Sequence, residues 1–230
     1  MTTSPSPTLS RRLLAEYVGS ALLACIVIGS GIAAQQLSPT DIGLQLLENA
    51  AVTAVGLYVL INVFGPVSGA HFNPLVSGVS AVTGSLKWSD VPTYFIAQVA
   101  GCVSGAVTAN VMFAQAAISI STHQRATGAH LVSEVIASAG LIATIFALTR
   151  SHRSELCAAA VACYIGAAYF FTSSTSFANP AITVGRMFSN TFAGIAPSSA
   201  PAFIGAQVLG ALVGLGLALV LYPAQQPQEK

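Results

Sequence analysis

The chain has 230 residues, 54% of them hydrophobic and only 7% charged. A soluble domain carries roughly 25% charged residues, so there is too little charge here to clothe a water-facing surface, and lipid must cover much of it. The net charge of +1, without clustered Lys and Arg, excludes a nucleic-acid partner. The four cysteines, Cys25, Cys102, Cys157 and Cys163, show no metal-ligand spacing and lie in apolar stretches, so they read as small buried hydrophobes rather than a metal site or disulfide framework.

The opening MTTSPSPTLS is polar and reads as a disordered tail over 1–10. The apolar run after it is too long for a signal peptide and lacks a cleavage site, so it is taken as the first membrane span. A span needs about 20 apolar residues, and six stretches qualify: 13–36, 43–64, 92–116, 129–149, 156–173 and 201–222. A polar tail over 223–230 closes the chain. Two apolar stretches, 74–84 and 180–190, are too short to span, and each begins at Asn-Pro. The predicted fold is therefore all-α: one membrane domain over 11–222 with six spans and two shorter pieces.

Charge orients the chain. Arg11, Arg12, Lys87, Arg150, Arg153 and Lys230 fall on one side of an even-numbered set of spans, and Arg125 stands alone in an opposite loop. The positive-inside rule puts both termini in the cytoplasm. Trp88, beside Lys87, reads as an interfacial anchor.

The halves, about 11–116 and 129–222, repeat one another. LLAEYVGSALL is answered by HLVSEVIASAGL, and FIAQVAGCVSGA by FIGAQVLGALVG. The landmarks recur in order at offsets of 118 (Glu134 minus Glu16), 106 (Asn179 minus Asn73) and 109 (Gln207 minus Gln98). Each half has an odd number of spans, so the two lie in opposite orientations, and such inverted repeats meet at a central pathway.

Irregular backbone at membrane depth is tolerated only inside protein or beside water. GPVSGAHF and TSSTSFA are therefore predicted to dip inward and turn at Asn-Pro into half-helices. Asn73 and Asn179 suit the capping position, and Pro74 and Pro180 the first helical turn. Two half-helices of ~10 residues, each ~15 Å long, would cover the ~30 Å core end to end. Their positive N-terminal ends would meet at mid-membrane, with the two asparagines aiming N–H donors into a lumen. Backbone carbonyls of Gly69, Ala70, His71 and Phe72, and of Thr175, Ser176, Phe177 and Ala178, are the predicted acceptors along it. The pairs Gly101/Gly105 and Gly210/Gly214 read as close helix packing.

On these motifs, SGAHFNPLVSG and TSFANPAITVG with Glu16, Glu134, AQVAG and AQVLG, the chain resembles the aquaporin (major intrinsic protein) family over essentially its whole length. The resemblance implies a passive channel for small uncharged solutes, one pore per subunit, four subunits per assembly, and no cofactor or metal. It implies that Glu16 and Glu134 each accept hydrogen bonds from the dipping segment of their own half. The first motif reads Asn-Pro-Leu, ending at Leu75, where the family usually has Asn-Pro-Ala. His71 is expected to line the pore near the cytoplasmic mouth.

In water- and glycerol-conducting relatives an Arg follows the Ala of the second motif; here Ile182 holds that place. The other filter positions transfer by spacing to Thr53, Ala167 and Ser176. The set Thr53, Ala167, Ser176 and Ile182 has no aromatic, His or Arg, which predicts a wide, weakly polar filter. It resembles a bacterial branch associated with metalloids and methylated arsenic. Glycerol, arsenite and methylated arsenicals fit, with water as a further solute. Arg186, one helical turn beyond Ile182, has two readings: a guard at the outer mouth, or an interfacial snorkelling side chain. The rivals are a water-selective channel and an ion-coupled secondary transporter. The transporter needs a charged cluster, whereas Glu16, Glu48 and Glu134 are dispersed. No catalytic triad or phosphate loop appears, so an enzyme is not expected. A bacterial inner membrane is the expected location.

Overall fold

The computed structural model describes residues 7–223. The tail expected over 1–10 lies outside these residues as far as residue 6, and helix α1 already starts at Leu9. The tail expected over 223–230, with Lys230, lies outside them from residue 224.

Eight α-helices follow in order among the described residues: α1 Leu9–Leu37, α2 Ile42–Ser68, α3 Pro74–Val82, α4 Val91–Met112, α5 Gly128–Arg150, α6 Cys157–Phe171, α7 Pro180–Arg186 and α8 Ala200–Leu221. Six are long and apolar enough to cross a membrane, α4 and α6 together with the short 3-10 turns that lead into them. The other two, α3 and α7, are the half-helices. The third span, expected over 92–116, stops at Met112. There the Phe113 N–H folds back onto the Ala109 and Asn110 carbonyls, and Ala114 takes a left-handed φ of 55°. The second short stretch, expected over 180–190, is helical only to Arg186. Beyond it the carbonyls of Met187 and Phe188 accept from the N–H groups of Ser121 and Ser119 instead of continuing a helix.

Local chemistry sets several other ends. The Asp41 carboxylate accepts from the Leu44 N–H at 2.9 Å and opens α2, and Gly69, with φ 90°, closes it. Asn73 and Asn179 cap α3 and α7, and a proline follows each at the first turn, where its missing N–H costs nothing.

The long helices pair tightly through glycines. A Cβ at Gly101 or Gly105 would stand 2.3 Å from the Tyr17 carbonyl oxygen or 2.1 Å from that of Ala21, so α4 lies against the α1 backbone. In the other half a Cβ at Gly210 or Gly214 would stand 2.4 Å from the Val135 carbonyl oxygen or 2.2 Å from that of Ala139, so α8 lies against the α5 backbone. The partner pairs are 118 apart (Val135 minus Tyr17; Ala139 minus Ala21), the offset that relates Glu16 to Glu134. The half-helices are seated less evenly. α7 packs chiefly on α4 of the other half, where Gly185 sits over Cys102, while α3 lies between α4 of its own half and α8 of the other. Large apolar side chains such as Leu22, Val55, Ile96, Val132, Phe170 and Leu212 remain exposed around the bundle, as suits a surface clothed by lipid.

Substituting Gly105→Leu should separate α1 from α4, because the obstruction is backbone rather than a movable side chain. The expected loss is at least the about 1–3 kcal/mol of ordinary overpacking, read as a lower melting temperature in detergent. Gly216→Ala, where a Cβ meets nothing within 4 Å, should melt like the parent.

Candidate functional site

Each dipping segment has an unusual backbone. Gly69, Ala70 and Phe72 have φ of 90°, 49° and 49°; Thr175, Ser176 and Ala178 have φ of 63°, 50° and 46°. The two sets are related by the offset of 106 that separates the asparagines (Ser176 minus Ala70; Ala178 minus Phe72). A non-glycine residue held in this region costs about 1–3 kcal/mol and persists only when its surroundings over-determine it.

The surroundings here are two buried carboxylates. Glu16 accepts from the Ser68 hydroxyl (2.6 Å) and the His71 N–H (2.9 Å) on one oxygen, and from the Phe72 N–H (2.7 Å) and Gln98 Nε2 (2.8 Å) on the other. Glu134 repeats the pattern with the Ser174 hydroxyl (2.6 Å), Phe177 N–H (2.9 Å), Ala178 N–H (2.9 Å) and Gln207 Nε2 (2.7 Å). Four donors around each carboxylate use most of its lone pairs. Gln98 and Gln207 also donate to the Ser77 and Thr183 hydroxyls on the half-helices, both at 2.9 Å. The glutamines carry this bracing role unrecognised in the sequence, although they recur at an offset of 109 inside AQVAG and AQVLG.

The half-helices meet through their caps. Asn73 Nδ2 donates to the Ala178 carbonyl and Asn179 Nδ2 to the Phe72 carbonyl, both at 2.8 Å. Each Oδ1 accepts from the first turn of its own helix, at Leu75 and at Ala181 and Ile182. Each amide nitrogen carries two hydrogens. One joins the halves, and the other remains for the cavity that both side chains line.

That cavity, of about 640 Å³, runs from Ser85, Thr149, Ser154 and Glu155 at one end of the bundle to Tyr169, Ile182 and Arg186 toward the other. Its wall includes Thr53, Ser176 and Ile182, and Gly69, Ala70, His71, Phe72, Phe177 and Ala178 of the dipping segments. Opposite lie Leu57, Ile61, Leu141, Val161 and Ile165. The carbonyls of Phe72 and Ala178 are the ones tied to the asparagines. His71 is held by the Ser77 hydroxyl at 3.0 Å and lies 3.4 Å from that of Ser80.

Two expected residues do not join this wall. Thr175 is outside it, although Gly69, its counterpart 106 residues earlier, lines it. Ala167 is exposed on the outside of α6, and Tyr169 takes the inward position, its hydroxyl 3.2 Å from that of Thr53. The helical period decides this: Val161, Ile165 and Tyr169, four apart, form one stripe, and Ala167 falls off it.

Arg186 is only 2% exposed and lines the cavity, which does not fit an interfacial snorkel. Its guanidinium lies over the Phe177 ring, Cζ 3.4 Å from the centroid, and its Nε donates to the Ala193 carbonyl. Arg125 reaches the same ring from the α4–α5 loop, with Cζ at 5.4 Å, and donates to the Gly194 (2.7 Å) and Phe192 (2.9 Å) carbonyls. Burial lowers the pKa of Arg125 from its ordinary value, while Glu134 and then Tyr169 act the other way. Among the described residues no group of His, Cys, Asp and Glu could hold a metal ion, and the one ion pair is Arg12 with Asp90.

Asn179→Asp should disable the junction. An acceptor-only carboxylate would face the Phe72 carbonyl, a loss on the order of 1–3 kcal/mol. In proteoliposomes of folded mutant, solute flux should fall or a cation current should appear; unchanged flux without current would overturn this view of the junction.

Residues 3–178 match the family model described as MIP: Major intrinsic protein. The chain is 46% identical over 219 residues to the aquaglyceroporin AqpS of Rhizobium meliloti, covering 95% of this chain and 93% of that one. It is 29% identical to a glycerol uptake facilitator protein of Pseudomonas aeruginosa, covering 98% and 94%. The X-ray structure of the aquaglyceroporin from Plasmodium falciparum shares the fold, with a TM-score of 0.70 at 19% identity over 94% of this chain and 98% of that one. Inverted halves, paired half-helices and these matches together make the chain a member of the major intrinsic protein family.

Proposed function

We propose that this protein is a passive membrane channel for neutral solutes larger than water: glycerol, hydroxylated metalloids such as arsenite, and methylated arsenicals. The coarser part, a passive channel for small solutes rather than an enzyme, follows from its family. The glycerol reading is supported by the names of the relatives from Rhizobium meliloti, an aquaglyceroporin, and Pseudomonas aeruginosa, a glycerol uptake facilitator protein. The observation that carries the finer part is Ile182, an aliphatic side chain on the cavity wall where the filter arginine of relatives would project. Together with Thr53 and Ser176 it leaves small and aliphatic side chains at these positions, and the nearest guanidinium on the wall is that of Arg186, one turn further on.

Transit then needs few strong contacts. Burying a hydroxyl without a partner costs roughly 2–7 kcal/mol. The asparagine N–H groups and the dipping-segment carbonyls offset that cost along one wall, and the apolar wall offers nothing to grip. Positive half-helix ends at mid-membrane oppose cations. An ion-coupled transporter is disfavoured by the wrapping of Glu16 and Glu134, whose oxygens are all engaged by protein donors. We further propose a homotetramer in a bacterial inner membrane with both termini in the cytoplasm, and Glu16, Glu134, Pro74 and Pro180 as the supports of the half-helices.

Stopped-flow uptake into proteoliposomes of water, glycerol, urea, arsenite and methylated arsenicals tests the reading. Flux should be non-saturating and independent of ion gradients; saturation with gradient dependence would favour a transporter, and flux of water alone a water-selective channel. Ile182→Arg would add five donors to the lumen and a charge in a low-dielectric passage. It should lower the ratio of glycerol to water permeability at least about fivefold, the worth of one net hydrogen bond. An unchanged ratio would mean that Ile182 does not set the constriction.

A further inference from the structure

Two guanidinium groups beside the second half-helix have no carboxylate partner. We propose that the Arg186 end of the cavity is a binding site for a small planar oxyanion, a carboxylate of formate size. The Arg186 guanidinium grips it end-on, and the bound anion bars the lumen to neutral solutes. Arg125 supplies a second positive charge and positions the first. The site goes beyond the channel reading above and rests on it only for the flux readout.

The first observation is the charge balance. The chain has seven acidic residues. Glu16 and Glu134 are wrapped by donors of their own halves. Asp41 caps α2, Asp90 pairs with Arg12, and Glu48 accepts from the Ser38 hydroxyl. Glu155 lines the cavity at its opposite end, and Glu229 lies outside the described residues. Among the described residues neither Arg125 nor Arg186 pairs with a carboxylate. Yet their Cζ atoms stand 5.4 and 3.4 Å from the centroid of one ring, that of Phe177. Glu134 lies near enough to favour the charged form of Arg125, but one carboxylate does not balance two guanidinium groups. Like charges side by side in a low-dielectric wall repel each other and attract an anion.

The second observation is the shape of what remains free. Arg186 is buried, and its Nε donates to the Ala193 carbonyl. Its two Nη atoms donate to no acceptor among the described residues. Neither is sealed inside the protein as the Ser176 hydroxyl is, and the side chain lines the cavity. The open end of the fork therefore carries parallel N–H donors, whose spacing matches the two oxygens of a carboxylate. Stacking on Phe177 fixes the plane in which they point. Ile182, on the same wall, keeps the surroundings apolar, which strengthens a charge-assisted pair.

The guanidinium is held by a loop, and the loop is held by Arg125. Three successive carbonyls, Phe192, Ala193 and Gly194, accept in turn from Arg125, Arg186 and Arg125. Gly194 is confined as well, since a Cβ there would stand 2.4 Å from both the Ser121 hydroxyl and the Ser189 carbonyl oxygen. Arg125 therefore clamps the loop on both sides of the one carbonyl that Arg186 uses.

The test measures glycerol permeability of full-chain proteoliposomes by stopped flow, with salt equal on both sides and protein-free vesicles subtracted. Sodium formate at about 100 mM should lower the parent's permeability at least about twofold relative to sodium chloride, the occupancy that one charge-assisted hydrogen bond provides. Formamide, added to the chloride buffer, has formate's size and planarity without its charge and should cause no such loss. Arg186→Leu should abolish the formate effect. Arg186→Lys keeps the charge but not the fork, so it should respond to formate and chloride alike. Arg125→Leu should weaken the inhibition, and Arg125→Lys should restore part of it. Thermal unfolding in detergent needs no flux: formate should raise the melting temperature of the parent above that in chloride, and not that of Arg186→Leu. Equal glycerol permeability in formate and chloride, or a formate effect that survives in Arg186→Leu, overturns this proposal and leaves the channel reading standing. A parent that passes no glycerol overturns the channel reading instead; the melting comparison then decides the site, and the absence of a formate shift overturns it too.

Discussion

Backbone in the middle of a bilayer must find its hydrogen bonds inside the protein, and in this chain two glutamates meet that requirement. Each dipping segment leaves the helical path for a few residues, through left-handed positions that alanine, serine and phenylalanine rarely adopt. A single carboxylate collects two N–H groups and a hydroxyl from that segment, and a glutamine pins the carboxylate to the half-helix that follows. The asparagines can cap short helices and reach across to the opposite carbonyls only because the segments before them are fixed. Junction and lumen both follow from this internal solvation.

The lumen that results is one-sided. Around the junction of the half-helices the hydrogen-bonding groups come from the dipping segments and the two asparagines, which are the irregular parts of the chain. The opposing wall comes from regular helices, α2, α5 and α6, and is mostly aliphatic. Irregular backbone exposes its carbonyls, whereas a helix consumes its own, so the division between polar and apolar walls is a division between backbone types. A solute moving along such a passage trades water for carbonyls on one flank only, which keeps every stop shallow.

Much of this was legible in the sequence, for identifiable reasons. Length and apolarity are properties of segments, so the six spans and two short pieces could be read directly. The offset of 106 between Asn73 and Asn179 reappears in the strained φ angles and in the dipping-segment donors to Glu16 and Glu134. What escaped depends on phase or on distant partners. Spacing back from Asn179 points to Ala167, but the segment between has irregular rise, and the inward stripe ends at Tyr169 instead. Thr175 is expected in a row of four, yet it falls outside the wall although Gly69, its counterpart 106 residues earlier, lines it. Arg186 is directed by the Ala193 carbonyl and the Phe177 ring, and no local pattern shows which way so long a side chain will turn.

The unequal seating of the half-helices bears on how the chain is made. Synthesis runs from the N-terminus, so α4 is complete before α7 exists. When α7 emerges, the Cys102 backbone against which Gly185 fits is already in place. The first half-helix has no such advantage: α3 is made early, but part of its seat is α8, the last helix translated. Until then that flank of α3 lacks its final neighbour, and the Asn73 amide must wait for Ala178 as well. The second half-helix thus meets its main seat, α4, already made, whereas the first waits longer for its neighbours, and both gain α8 only with the final span.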